Sequence, residues 1–137
     1  MWHTVSLHGP CPLVRGISPL TTTHTDHLQQ LDDAVRRAID DGSLGTPRFA
    51  RFVAYSPLSG LTTITANRLA SMSEGWFGRP CASRSTRRDP TGISVTNLLK
   101  WPDGQGALIV VSSTPQATGA SIDLMLLGSR GVLYHEA

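Results

Sequence analysis

Lysine is nearly missing from this chain: Lys100 is the single lysine among 12 basic residues, and the net charge is only +2. A balance this mild gives no reason to expect nucleic acid as a partner. Aromatic residues are also scarce, at 6%, and none interleaves with the one arginine-rich stretch, so base stacking lacks a platform. No apolar run approaches the ~20 residues needed to cross a bilayer. The start, "MWHTVSLHGPCPLV", has no basic segment before an unbroken apolar core, so no signal peptide is expected, and the default is a cytoplasmic protein. Cys11 and Cys81 form no C-x-x-C pair, which argues against a structural zinc site. G-x-S-x-G is absent too, and isolated cysteines carry no local activation signal. A nucleophilic enzyme is therefore disfavoured.

What is present describes a folded domain. The 137 residues are 39% hydrophobic and 16% charged, enough for one core. "THTDH" leads into a first helix, with Thr25 as N-cap and Asp26 at the positive end of the helix dipole. Leu28, Leu31, Val35, Ala38 and Ile39 form its apolar stripe, opposite Asp33, Arg36, Arg37 and Asp40. Gly42 and Gly45 end the helix, and the strand "RFARFVAY" follows, fairly apolar on both faces. A second helix, in "LTTITANRLASMSEGWFGRP", places Leu69, Met72 and Trp76 at helical spacing and stops at Gly78-x-Pro80. Then "CASRSTRR", "ISVTNLLKW", "ALIVVSST", "ASIDLMLLG" and "VLYHEA" read as consecutive strands. Pro102-Asp103-Gly104 is a strong turn signal; Pro115–Gly119 and Ser129–Gly131 are weaker ones. Connections this short suit antiparallel neighbours. The expected fold is α+β: a mostly antiparallel open sheet with two main helices packed on one face.

The order of these parts resembles the C-terminal domain of the Gfo/Idh/MocA oxidoreductases. The carriers are "LQQLDDAVRRAIDDGSLGTPRFARFVAY", then "LASMSEGWFGRPCAS", then "LLKWPDGQGALIVVSST" with "IDLMLLGSRGVLYHE". The resemblance implies a division at residue 28, with 28–137 as the domain and 1–27 as an N-terminal extension. The extension holds two strand-like pieces, "WHTVSLH" and "PLVRGIS", which could add an edge strand or exchange between protomers.

Two departures from the family pattern bear on function. Those enzymes begin with a Rossmann domain carrying G-x-G-x-x-G, whose amides hold a pyrophosphate. This chain has no such string and no Glu-Lys-Pro element, so no cofactor is expected on it. The family also places an Asp, a His four residues on, and a later Asp along the second helix. Counted back from Gly78-x-Pro80, those positions carry Ile64, Arg68 and Ser71. Isoleucine moves no proton, and a guanidinium stays charged at working pH. No catalytic residue is assigned.

Asn67, Arg68 and Ser71 remain candidate ligand-binding residues, since an arginine there could hold a carboxylate or phosphate bidentately. His24, Asp26 and His27, with His3, His8 or Asp32, could ligate a metal only if folding brought a third ligand in; capping and surface roles are favoured, and no metal is assigned. Arg79, Arg84, Arg87 and Arg88 read as a solvated sheet edge, or a patch for an acidic partner. Asp89, Asp123, His135 and Glu136 read as strand ends and turns.

Two readings of function follow. In the first, the chain is a non-redox binding or partner subunit. In the resembled family the open sheet face forms the subunit interface, and Leu98, Leu99, Val110, Val111, Leu124 and Met125 are the candidate interface residues for a homodimer, or for a complex with an oxidoreductase or Rossmann-domain partner. In the second, it is a subunit of a split NAD(P)-dependent oxidoreductase, or a diverged cofactor-independent isomerase or dehydratase with its cavity between subunits.

Overall fold

The computed structural model describes residues 2–6, 24–56, 61–114 and 121–136. In chain order they form β1 (Trp2–Ser6), α1 (His24–Asp40), β2 (Pro47–Ser56), α2 (Thr62–Phe77), β3 (Ser83–Arg88), β4 (Ser94–Lys100), β5 (Gly106–Ser113), β6 (Ser121–Gly128) and β7 (Gly131–His135). Thr25, expected as the N-cap of the first helix, lies one residue inside α1. The apolar stripe of α1 is as expected: Leu28, Leu31, Val35 and Ala38 are buried, while Asp33, Arg36, Arg37 and Asp40 face solvent. α2 ends where Gly78 takes the left-handed conformation (φ 82°) and donates its N–H to the Glu74 carbonyl. A glycine has no Cβ to oppose that geometry.

All seven strands join one sheet in the order β1-β7-β6-β2-β5-β4-β3. Every neighbouring pair is antiparallel except β2 and β5, which run parallel. The fold is α+β, with an open and mostly antiparallel sheet. One expectation needs correcting. β3, β4 and β5 are a meander, but β5 and β6 are not neighbours. β2 stands between them, and just beyond β5 the Thr114 N–H bonds the Ser56 carbonyl at the end of β2. The physical reason is already in the composition of β2. A strand apolar on both faces belongs in the middle of a sheet, and the long stretch from β2 through α2, β3 and β4 supplies the crossover that a parallel pair needs. The expected strand in "WHTVSLH" is β1, the edge strand beside β7. "PLVRGIS", Cys11 and the turn at Pro115–Gly119 lie outside the described residues.

The core sits between the helices and one face of the sheet. Ala50, Phe52 and Ala54 of β2, Ile109 of β5, Leu126 of β6 and Leu99 of β4 point into it. From above it is closed by Leu28, Leu31 and Val35 of α1 and by Ala66, Leu69 and Trp76 of α2. Trp76 lies over Phe52 with ring centroids 5.5 Å apart, and Phe77 meets Trp101 edge-on at 4.5 Å. Burial of these side chains is the main force holding the fold.

Candidate functional site

Three surfaces carry the residues singled out from the sequence. The first is the outer side of α2. Helical geometry puts positions 64, 68 and 71 on one face, and that face is exposed: Ile64 is 60% accessible, and Arg68 and Ser71 are open to solvent. Asn67 beside them accepts a 2.6 Å hydrogen bond from Arg84 of β3, a fixed link between the helix and the sheet edge. The one carboxylate of α2, Glu74, is committed elsewhere: it accepts the Cys81 N–H at 2.9 Å and so closes the turn into β3. Burial, and then the nearby Glu74 carboxylate, push the Cys81 thiol above its ordinary value, the wrong direction for a nucleophile. General acid–base chemistry needs a titratable group within reach of the reacting atom, and this face offers none.

The second surface is the uncovered side of the sheet. Register places its side chains in rows. Tyr134, Met125, Arg51, Leu108 and Leu98 lie across β7, β6, β2, β5 and β4; the next row runs Asp123, Val53, Val110 and Thr96. Phe49 and Leu127 are paired one row to the other side. The apolar members are partly buried, while Arg51, Asp123, Tyr55 and Tyr134 are exposed. A depression of about 350 Å3 opens here, its lining including Arg51, Val53, Asp123, Met125, Tyr134 and Glu136.

Of the six expected interface residues, Leu98, Val110 and Met125 lie on this open face. Leu99, Val111 and Leu124 do not. They are 0–2% exposed and form part of the core beneath the helices, because alternate residues of a strand point to opposite sides. Leu108, Leu127, Phe49 and Val53 take their places. The alternation of each strand was readable; which parity faced the helices was not, since "LIVV" and "LMLL" are apolar at both.

The third surface is the β3 edge. All six of its residues are exposed. Arg84 and Arg88 pair with Leu99 and Val95 and so share the helix side, while Arg87, opposite Thr96, takes the open side. Arg79 is not part of a free patch, since it forms a 2.7 Å ion pair with Asp103.

The candidate metal ligands are dispersed. Asp32 accepts hydrogen bonds from Trp76 (2.7 Å) and Arg36, a helix-to-helix tie. His27 packs against His135, ring centroids 5.4 Å apart, and His135 is 6% exposed. Burial, followed by neighbouring positive charge that includes His27, lowers His135 to about 4. The side chains of His3, His8, His24 and Asp26 lie outside the described residues. Among the described residues no three His, Cys, Asp or Glu side chains converge, and no helix is long and apolar enough to cross a membrane.

Comparison with known proteins gives a fold but no sequence relative. No family model matches the chain, and no curated protein matches it. Solved structures do. A "probable dehydrogenase" from Thermotoga maritima superposes with TM-score 0.66 at 14% identity, over 81% of this chain and 39% of its own. Myo-inositol 2-dehydrogenase from Lactobacillus plantarum gives 0.60 at 17%, over 79% and 40%. Scyllo-inositol dehydrogenase from Lactobacillus casei, solved with NAD(H) and scyllo-inositol, gives 0.57 at 17%, over 79% and 40%. The chain thus spans about two fifths of the length of the structures it matches. Its fold is that of a part of the Gfo/Idh/MocA-type dehydrogenases, in keeping with the resemblance of its motifs to their C-terminal domain.

Proposed function

We propose that this chain is a non-redox binding or partner subunit that works through its open sheet face, and that a second copy covers that face in a homodimer joined sheet to sheet. The observation that carries the reading is the contiguity of Leu98, Leu108, Val110, Val53, Met125 and Leu127 on a side of the sheet that no described helix covers. Continuous, partly exposed apolar surface of this kind marks an interface, and exposed Tyr55 and Tyr134 are of the residue type enriched there. The absence of a proton-transfer group along Ile64, Arg68 and Ser71 supports the non-redox half of the reading. Asn67, Arg68 and Ser71 then serve as polar contacts on the other side of the molecule, where Arg68 suits an acidic group.

Light scattering across a micromolar concentration series tests this: a dimer is expected, and Val110→Lys should return a monomer. A wild-type protein that stays monomeric throughout overturns the reading. Titration with NAD(H) should give no micromolar binding.

A second reading has one observation in its favour. The match covers only about two fifths of each of those structures, and one was solved with NAD(H). On that reading the chain completes a split NAD(P)-dependent oxidoreductase whose cofactor domain is a separate protein. Co-purification of a Rossmann-type protein from the native host, with NAD(P)-dependent activity in the complex only, would favour it. The compartment we propose for it is the cytoplasm.

A further inference from the structure

β3 closes one end of the strand order, beyond β4, and all six of its residues are exposed. Two bonds fix which of its backbone groups are spent. Ser113 N–H reaches the Ile93 carbonyl at 2.7 Å on the β5 side of β4, and Asp89 N–H reaches the Ser94 carbonyl at 3.0 Å on the β3 side. Hydrogen-bonded pairs alternate along an antiparallel ladder, so Ser85 and Arg87 give their N–H and C=O groups to Leu98 and Thr96 of β4. Arg84, Thr86 and Arg88 turn theirs outward, where no described strand meets them. Their side chains share the helix side, opposite buried Leu99, Asn97 and Val95. Arg84 is held there by its 2.6 Å bond to Asn67 of α2, whose exposed neighbour Arg68 adds a further cation. The carboxylates nearest in sequence each have a partner of their own: Glu74 the Cys81 N–H, Asp89 the Thr91 hydroxyl and Asp103 the Arg79 guanidinium. Among the described residues Arg84, Arg87 and Arg88 form no ion pair.

An unpaired edge of this kind is a template for another strand. The arginines decide which one. A second copy of β3, paired antiparallel about Thr86, sets Arg84 opposite Arg88, and like charges directly opposite destabilise a strand pair. The far edge of another copy does no better, since β1 (WHTVS) brings no carboxylate. A nucleic acid meets the arginines but has no alternating N–H and C=O for the outward backbone of Arg84, Thr86 and Arg88. Nor does β3 hold an aromatic residue on which a base could stack. An extended acidic segment satisfies both the backbone and the charge. Carboxylates at positions i and i+4 lie on one side of a strand, about 13 Å apart, which is also the spacing of Arg84 and Arg88 along β3. Charge-assisted bonds from guanidinium to carboxylate are the strong kind.

We propose that the β3 edge accepts an extended acidic segment of a partner protein as an added strand, with its carboxylates on Arg84 and Arg88. The assignment does not rest on the open-face dimer, whose presence light scattering reads separately. The probe is a fluorescein-labelled peptide of alternating glutamate and threonine, blocked at both ends and followed by anisotropy. It should bind saturably, and Arg84→Glu combined with Arg88→Glu should weaken it by roughly tenfold or more. The same double variant should bind a lysine–threonine peptide better than wild type does, which a misfolded protein could not. N-methylation separates strand addition from charge attraction alone. With the carboxylates beside Arg84 and Arg88, the glutamate amides face β3 and the threonine amides face solvent. Methylating the glutamate amides should therefore abolish binding, and methylating the threonine amides should preserve it. Equal binding by the two methylated peptides would overturn the proposal. So would no binding of the unmodified peptide, undiminished binding by the double variant, or tighter binding of a single-stranded oligonucleotide of equal charge.

Discussion

The indole N–H of Trp76 on α2 donates a 2.7 Å hydrogen bond to the carboxylate of Asp32 on α1, across 44 positions of sequence. Asp32 also accepts from Arg36 one turn on, at 3.1 Å, and the Arg36 guanidinium lies over Gly75, 2.9 Å from where a Cβ would be. One carboxylate thus holds both helices to each other, above the ring of Phe52. Asp32→Ala should lower stability by about 1–3 kcal/mol, because it leaves the indole donor without its acceptor. Asp32→Asn keeps an accepting oxygen and should lose less. Urea unfolding followed by tryptophan fluorescence ranks the two; equal losses would mean that the hydrogen bond contributes nothing.

Gly128 and Gly42 make a controlled comparison. A Cβ on Gly128, at the end of β6, would run into the Leu44 carbonyl oxygen, which is backbone and has little room to move. Gly42 has φ 78°, and a Cβ there would meet nothing within 4 Å. Gly42→Ala therefore costs only the left-handed penalty, about 1–2 kcal/mol. Gly128→Ala must push the α1–β2 turn off the sheet and should cost more, about 3 kcal/mol or above. Thermal melts of both variants decide it, and the reverse ranking would refute the close approach.

How much of this was legible follows from periodicity. The stripe of α1, the end of α2 at Gly78, and the strands β2 to β7 each carry a local pattern, and each could be read. The placement of β2 is a tertiary fact. Its neighbours β5 and β6 are chosen by which strands can complete a two-sided apolar strand, and no local signal reports that. Face assignment failed for Leu99, Val111 and Leu124 for a related reason. Where both parities of a strand are apolar, only the packed helices decide which one is covered. The Trp76–Asp32 bond joins residues distant in sequence and leaves no trace in spacing. Ile64 and Arg68 were the opposite case: their chemistry was readable at once, and the structure added only that they are exposed.

Asn97 offers a test of buried polarity. It is fully buried on the helix side of β4. Its oxygen accepts from the Thr86 hydroxyl at 2.7 Å, while its amide nitrogen has no partner among the described residues. An unmet buried donor costs about 1–3 kcal/mol. Replacement by a similarly sized apolar residue, Asn97→Leu, removes that cost and leaves only Thr86, an exposed residue that water can serve. The variant should be as stable as wild type or more so. A loss above about 2 kcal/mol in chemical denaturation would show that the amide is satisfied by an ordered water instead.

Acid sensitivity should trace to His135. Its folded value of about 4 lies below the ordinary 6.5 because burial, then nearby positive charge including His27, opposes its protonation; Asp123 acts in the other direction but is outweighed. Above pH 6.5 the imidazole is neutral both folded and unfolded, so it makes no difference to stability. Between pH 6.5 and about 4 the unfolded chain takes up a proton that the folded chain refuses, and stability falls. The slope is at most about 1.4 kcal/mol per pH unit, and below about pH 4 the loss levels off. Carboxylates elsewhere also titrate at the acid end, so the informative quantity is the difference between wild type and His135→Phe. That variant keeps the ring contact with His27 and has no proton to refuse. Its stability, measured by denaturant midpoint from about pH 7.5 to 4, should decline less steeply than that of wild type, with the divergence confined to the window below pH 6.5. Parallel curves would mean that His135 is protonated in the folded protein at its ordinary pH, and that β7 and α1 accommodate the charge.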